Sequence, residues 1–157
     1  MNAAAKASRD AARLLGLAVL IVAIDRASKL YILEVIDLPL RLRVPVFEPY
    51  LVFLYAENRG INFGLLGSGN LRWVLVAIAG AAAVGVTIWA LRRREPVFSL
   101  GAALVAGGAL GNAWDRVQYG FVVDFLNMSC CGIQNPFAFN IADVAIFFGA
   151  VIIAWRA

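Results

Sequence analysis

The sequence predicts an all-α membrane protein: four transmembrane helices, with a small extracytoplasmic β-sheet and loop between spans one and two. Three observations carry that prediction. Hydrophobic residues make up 62% of the 157 and charged residues only 15%, where an ordinary soluble domain holds about 25% charged. Four stretches approach the roughly 20 apolar residues that a bilayer span requires. The basic residues cluster between those stretches instead of being spread along the chain. A chain of this length supplies one integral membrane domain, residues 1–157, and no separate soluble one.

Span one is expected at about 12–35, although Asp25, Arg26 and Lys29 interrupt it. Lys6, Arg9 and Arg13 ahead of an apolar run imitate a signal peptide. No small-x-small cleavage site follows Ile24; the charged "DRASK" does, so the segment reads as a retained span. The outward region that follows, about 38–65, opens with "LPLRLRVPVFEPYLVFLYAEN", which alternates apolar and polar residues in its first half. It reads as short strands over about 38–56, with Pro39, Pro45 and Pro49 confining them to edges or breaks.

Spans two, three and four are expected at about 71–91, 97–116 and 140–156. "AGGALG" in span three spaces Gly107 and Gly111 as GxxxG, and span two carries "GAAAVG"; small residues at such spacings let helices pack closely. Lys6, Arg9, Arg13, Arg92, Arg93, Arg94 and Arg156 all fall on one face of a four-span chain. That face is cytoplasmic by the positive-inside rule, so both termini are expected there. The formal charge of +4 then reflects topology and gives no reason to expect nucleic acid.

Several chemistries are excluded. The chain has no histidine, which removes His-dependent triads and His-ligated metal sites. Cys130 and Cys131 are adjacent, whereas redox pairs use a CxxC spacing. Ser28 and Lys29 would make a nucleophile pair only with help from elsewhere, because neighbours on a helix point apart. Asp25 and Lys29, at i and i+4, are instead placed to neutralise each other inside the bundle.

What remains is acid chemistry. Asn140 can cap span four, and Asn140-x-x-Asp143 is a variant of the capping box. Phe139 and Val144 fall at the positions of a hydrophobic staple, and a helix N-terminus favours an anion nearby. Taken alone, this stretch makes Asp143 a helix cap. Asp124 has no such role in "GFVVDFL", where desolvation should raise its pKa. Two carboxyl groups in such different settings are what general acid–base catalysis needs. If they face one site they share a proton, one activating water while the other polarises a carbonyl. Spacing alone does not show that they meet. Asn112, Asp115, Arg116, Asn58 and Arg59 add polarity on the same outward side.

At these residues the chain resembles the bacterial lipoprotein signal peptidases (signal peptidase II). "DRASK" at 25–29 is similar to the family's D-x-x-S-K block, and "NRGINFGLL" at 58–66 to its N-x-G-x-x-F-G block. "GNAWDRVQYGFVVDF" at 111–125 and "FNIAD" at 139–143 match two more, in the family's order. The resemblance implies an intramembrane aspartic endopeptidase that cuts a prolipoprotein just before its diacylglyceryl-modified cysteine. It implies Asp124 and Asp143 as the catalytic dyad, and Asn58, Asn112, Arg116 and Asn140 as residues that position substrate or dyad. It further implies Asp25 and Lys29 bracing the bundle, Asp115 orienting Arg116, and a cover over the substrate groove in the 38–56 region.

The same resemblance implies no cofactor or metal. Its partners are diacylglyceryl prolipoproteins and membrane lipids, with a monomer in the bacterial inner membrane and its active site near the outer face. Arg26, Glu57 and Asn62 depart from the family's usual residues. The runner-up reading is a small proton- or ion-handling protein, since intramembrane carboxylates mark such pathways too. It requires a polar path across the bilayer, and Gly80–Ala90 and Gly101–Leu110 offer no ionisable relay. An inactive scaffold is a third reading, against which the intact Asp pair argues.

Overall fold

The computed structural model describes residues 3–60 and 68–156. Helix α1 runs over Ala3–Leu30 and continues as one wider π turn, Tyr31–Val35. A single helical turn, α2 (Leu38–Arg41), leads into β1 (Arg43–Phe47) and β2 (Leu51–Asn58). Three further helices, α3 (Ser68–Arg93), α4 (Pro96–Tyr119) and α5 (Ile141–Arg156), complete the bundle, with β3 (Val122–Met128) between the last two. The fold is thus mostly helical with one small antiparallel sheet in the order β1-β2-β3.

The sheet departs from expectation in two ways. The 38–41 stretch is helical, where strands were expected from residue 38. The third strand comes from the 117–139 connection, so the sheet is not confined to the loop between spans one and two. The reason is that β2 would otherwise leave one edge unpaired, and the largely apolar, mostly buried Val122–Met128 pairs with it. Part of the "NRGINFGLL" block, including Asn62, lies outside the described residues.

Among the described residues, two helices are long and apolar enough to cross a membrane, Leu71–Arg93 and Pro96–Tyr119. Helix α1 is charged towards both ends, and α5 has 16 residues, fewer than the roughly 20 of a full span.

Helix α4 is the axis of the molecule, packing against α1, α3 and α5. It can do so because the packed face is nearly bare: Gly101, Ala102, Ala103, Ala106, Gly107, Gly108, Ala109 and Gly111 are all buried. The GxxxG pair faces α1, since a Cβ on Gly107 would meet the Ala18 carbonyl at 2.7 Å and one on Gly111 the Asp25 carboxylate at 2.9 Å. Gly80 and Gly85 of α3 have open space around them. The close-packing expectation therefore holds for α4 and fails for those two residues.

A Cβ on Gly108 would run into the Ala142 carbonyl and, at 2.7 Å, the Ile146 side chain. Both atoms belong to the first turns of α5, one of them backbone. We expect Gly108→Leu to push α5 off α4, costing about 1–3 kcal/mol or more. Thermal melting in detergent should fall by several degrees; an unchanged melt would contradict the packing described.

Helix α4 ends at Gly120, whose φ of 88° suits the C-terminal left-handed residue and whose N–H donates to the Arg116 carbonyl at 3.1 Å. That stop turns the chain abruptly into β3.

Candidate active site

Asp124 lies on β3, where Ala56 of β2 is its cross-strand partner. Asn58 lies two residues along β2 on the same face, in diagonal reach. Its Oδ1 accepts from the Gly60 N–H (3.1 Å), fixing the amide so that Nδ2 donates to Asp124 Oδ2 at 3.1 Å.

Asp143 stands on the first turn of α5. Asn140 is its N-cap: Asn140 Oδ1 accepts from the Asp143 N–H (2.9 Å) and Asp143 Oδ2 accepts from the Asn140 N–H (3.2 Å). This is a complete capping box, so the structural reading of Asp143 holds. It is not the whole account. Asn140 is fully buried, and its Nδ2 also donates to Asp124 Oδ1 at 2.6 Å and, more distantly, to Asn112 Oδ1 at 3.2 Å. Asn112 in turn donates from Nδ2 to Asp143 Oδ1 at 2.8 Å. The residue that caps the helix therefore joins both carboxylates.

The backbone makes this junction possible. Phe139 exchanges hydrogen bonds with Leu126 (2.8 and 2.9 Å) and accepts a further one from Phe125 at 3.0 Å. Strand β3 is thereby pinned beside the residue that starts the α5 cap. Asn127 ties the intervening loop to the same strand, donating to the Asn135 and Phe137 carbonyls at 2.7 and 2.8 Å.

Asp124 is 3% exposed. Burial pushes its carboxyl up to about 6, and the neighbouring Asp143 charge pushes in the same direction, against the stabilising amides of Asn58 and Asn140. Arg116 lies within electrostatic range of Asp143 and Asp124, but its one hydrogen bond among the described residues is to the Asn112 carbonyl at 3.3 Å.

Beneath the carboxylates lies a second charged cluster. Lys29, fully buried, bridges Asp25 Oδ2 at 2.8 Å and Asp115 Oδ2 at 2.7 Å. Arg26 pairs with Asp115 and donates to the Tyr119 hydroxyl at 3.0 Å. Asp115 therefore does not orient Arg116, as expected; its carboxylate is held by Lys29, Arg26 and the Val123 N–H (3.1 Å). Arg26 was missed as a contributor. Its signal was present, because two cations beside one acid on a buried helix turn require a second carboxylate nearby. Ser28 donates to the Asp25 carbonyl at 2.7 Å, and with Lys29 committed to two acids the Ser–Lys pair has no geometry. Cys130 and Cys131 are free thiols, exposed in the turn after β3.

A solved bacterial membrane enzyme, determined at 1.9 Å by the in meso method, matches 92% of this chain and 92% of its own, with a TM-score of 0.73 and 25% identity. A second solved structure of a bacterial membrane enzyme superposes equally well, at a TM-score of 0.73 over 92% of this chain and 87% of its own, with 24% identity. The protein has the fold of a membrane enzyme. The family model for signal peptidase (SPase) II matches residues 17–157. The chain belongs to the signal peptidase II family, and it is a peptidase. Among curated relatives, the lipoprotein signal peptidase of Methylorubrum extorquens is 40% identical over 83% of this chain and 76% of its own. That of Pelotomaculum thermopropionicum is 43% identical over 71% of this chain and 70% of its own.

Proposed function

We propose that the protein removes the signal peptide from prolipoproteins, hydrolysing the bond before a diacylglyceryl-modified cysteine with Asp124 and Asp143 as its catalytic dyad. The observation that carries this reading is the single residue, Asn140, bonded to both carboxylates. Family membership and relatives that are lipoprotein signal peptidases support the substrate class.

Below about pH 6 Asp124 holds the shared proton, because burial and the Asp143 charge both favour its neutral form. Asp143, anchored by the Asn112 amide and the Asn140 N–H, is the base that takes a proton from water. The water attacks the scissile carbonyl while Asp124 donates to its oxygen; the diol then collapses, returning a proton to Asp124, as Asp143 passes the water's proton to the departing amine and the C–N bond breaks. Arg116, committed among the described residues only to a helix carbonyl, is available to hold substrate backbone. Asn58 and Asn112 fix the carboxylates, and Asp25, Lys29 and Asp115 brace them.

Helices α1, α3, α4 and α5 each cross the inner membrane, with both termini cytoplasmic. Support comes from Lys6, Arg13 and Arg94, which line one cleft of about 510 Å³, and from Arg156, which pairs with Glu95 at 2.9 Å at the same end. The buried polar side chains Asp25, Lys29, Asn112, Asp115, Asp124, Asn127 and Asn140 gather at the opposite end. The remaining buried core is apolar, which is not the polar path an ion-handling protein needs.

The test is cleavage of a lipidated precursor and its unlipidated form by the purified protein, followed from pH 4 to 9. We expect cleavage before the modified cysteine, in the lipidated form alone. The free-enzyme kcat/KM should fall as pH rises through about 6, where Asp124 loses its proton. Absence of cleavage by folded protein would defeat the reading; a flat alkaline side would defeat the proton assignment.

A further inference from the structure

Two orphan amides carry this inference. Ala142 is the second residue of α5, so its N–H has no acceptor within its own helix; Asp25 Oδ1, from α1, accepts it at 3.1 Å. Val123 lies on β3, and its N–H is taken by Asp115 Oδ2 of α4 at 3.1 Å. Each amide belongs to the residue immediately before a dyad member: Ala142 before Asp143, Val123 before Asp124. The two accepting carboxylates share one cation, Lys29, at 2.8 and 2.7 Å. All three side chains are fully buried.

We infer that Lys29 is the positioning residue that sets the separation of Asp124 and Asp143, by drawing together the two carboxylates that anchor the backbone just ahead of each. This rests on the dyad assignment proposed above. Lys29 is fully buried, and its one other hydrogen bond among the described residues is a long one, to Asn112 Oδ1 at 3.5 Å. Its short, fully committed ammonium fixes the distance between Asp25 and Asp115, and those two fix β3 against the start of α5.

The arrangement is asymmetric. Asp115 has a second cation in Arg26, whereas the only ion-pair partner of Asp25 among the described residues is Lys29. Removing the Lys29 charge therefore loosens the Asp143 side more than the Asp124 side. The Lys29 charge also acts to lower the Asp124 carboxyl, so its loss moves the proton-loss limb of the pH profile upward. A residue that only held the bundle together would not single out the Ala142 amide, nor lower kcat while sparing KM.

The experiment compares wild type with Lys29→Met and with the charge-balanced Asp25→Asn/Lys29→Met, which leaves the Arg26–Asp115 pair to support folding. Cleavage is measured across pH, and amide hydrogen exchange is followed on protein labelled at Ala and Val. In the wild type the Ala142 amide should exchange slowly, unlike an ordinary second-position amide. In folded variants it should speed up more than Val123 does, and kcat should drop about 100-fold with KM little changed, as a displacement on the order of 1 Å would produce. The alkaline limb of Lys29→Met should lie above that of wild type.

Rapid exchange of Ala142 in the wild type would overturn the anchor without any variant. Wild-type kcat and an unmoved limb in a folded variant would overturn the positioning role. A wild type that cleaves no lipidated precursor fails the proposed function instead, and the exchange data still report on the anchor.

Discussion

Asp124→Asn and Asp143→Asn are each expected to lower cleavage of a lipidated precursor by about 10⁴-fold, while both proteins remain folded in the membrane. The reasoning differs for the two. Asn at 124 keeps the shape and one acceptor oxygen, for either Asn58 or Asn140, but it can neither hold nor release the proton that polarises the scissile carbonyl. Asn at 143 keeps an oxygen for the capping bond from the Asn140 N–H, but it cannot take a proton from water.

Stability offers an independent check on the first variant. The Asp124 carboxyl titrates near 6 in the folded protein, above the roughly 3.9 of an unfolded chain. The folded state therefore binds the proton more tightly, and stability is lost as pH rises through about 6. Asp124→Asn removes that loss, so its melting temperature should match or exceed wild type at pH 8. Substantial turnover by either variant would take that residue out of the dyad.

The second large effect is expected at Asn140, where one side chain serves both the fold and the chemistry. Asn140→Ala deletes the cap, at about 1 kcal/mol, and the donor to Asp124. A fall in kcat of about 100-fold should follow from misplacement of the carboxylates, with a modest fall in melting temperature. Asn140→Asp separates the two roles. Aspartate caps a helix as well as asparagine does, so the α5 start should survive. It replaces a donor with a third carboxylate facing Asp124, so activity should be lost and the pH profile displaced. Recovery of activity by Asn140→Asp would show that the amide matters only as a cap.

Much of this was legible because bilayers constrain sequence severely. Apolar runs, clustered arginines and the absence of histidine point by themselves to a membrane bundle with acid chemistry. The Asn140-x-x-Asp143 spacing encoded its capping box locally, and Asp25 and Lys29 encoded their ion pair by helical periodicity. Asp124 betrayed itself by lacking any local partner. Each of these is a relation between residues a few positions apart.

What the sequence could not contain were relations spanning tens of residues. Val122–Met128 fell in the connection between spans three and four, where no strand was expected; only pairing with β2 makes it a strand and turns Asp124 towards Asn58. Asp115 was paired in expectation with its neighbour Arg116, but a helix points adjacent side chains apart, and its partners came from α1. The sequence by itself determined which residues are costly to bury and therefore need a purpose. The tertiary structure decided their partners, because a buried charge is satisfied by whichever element packing brings within about 3 Å.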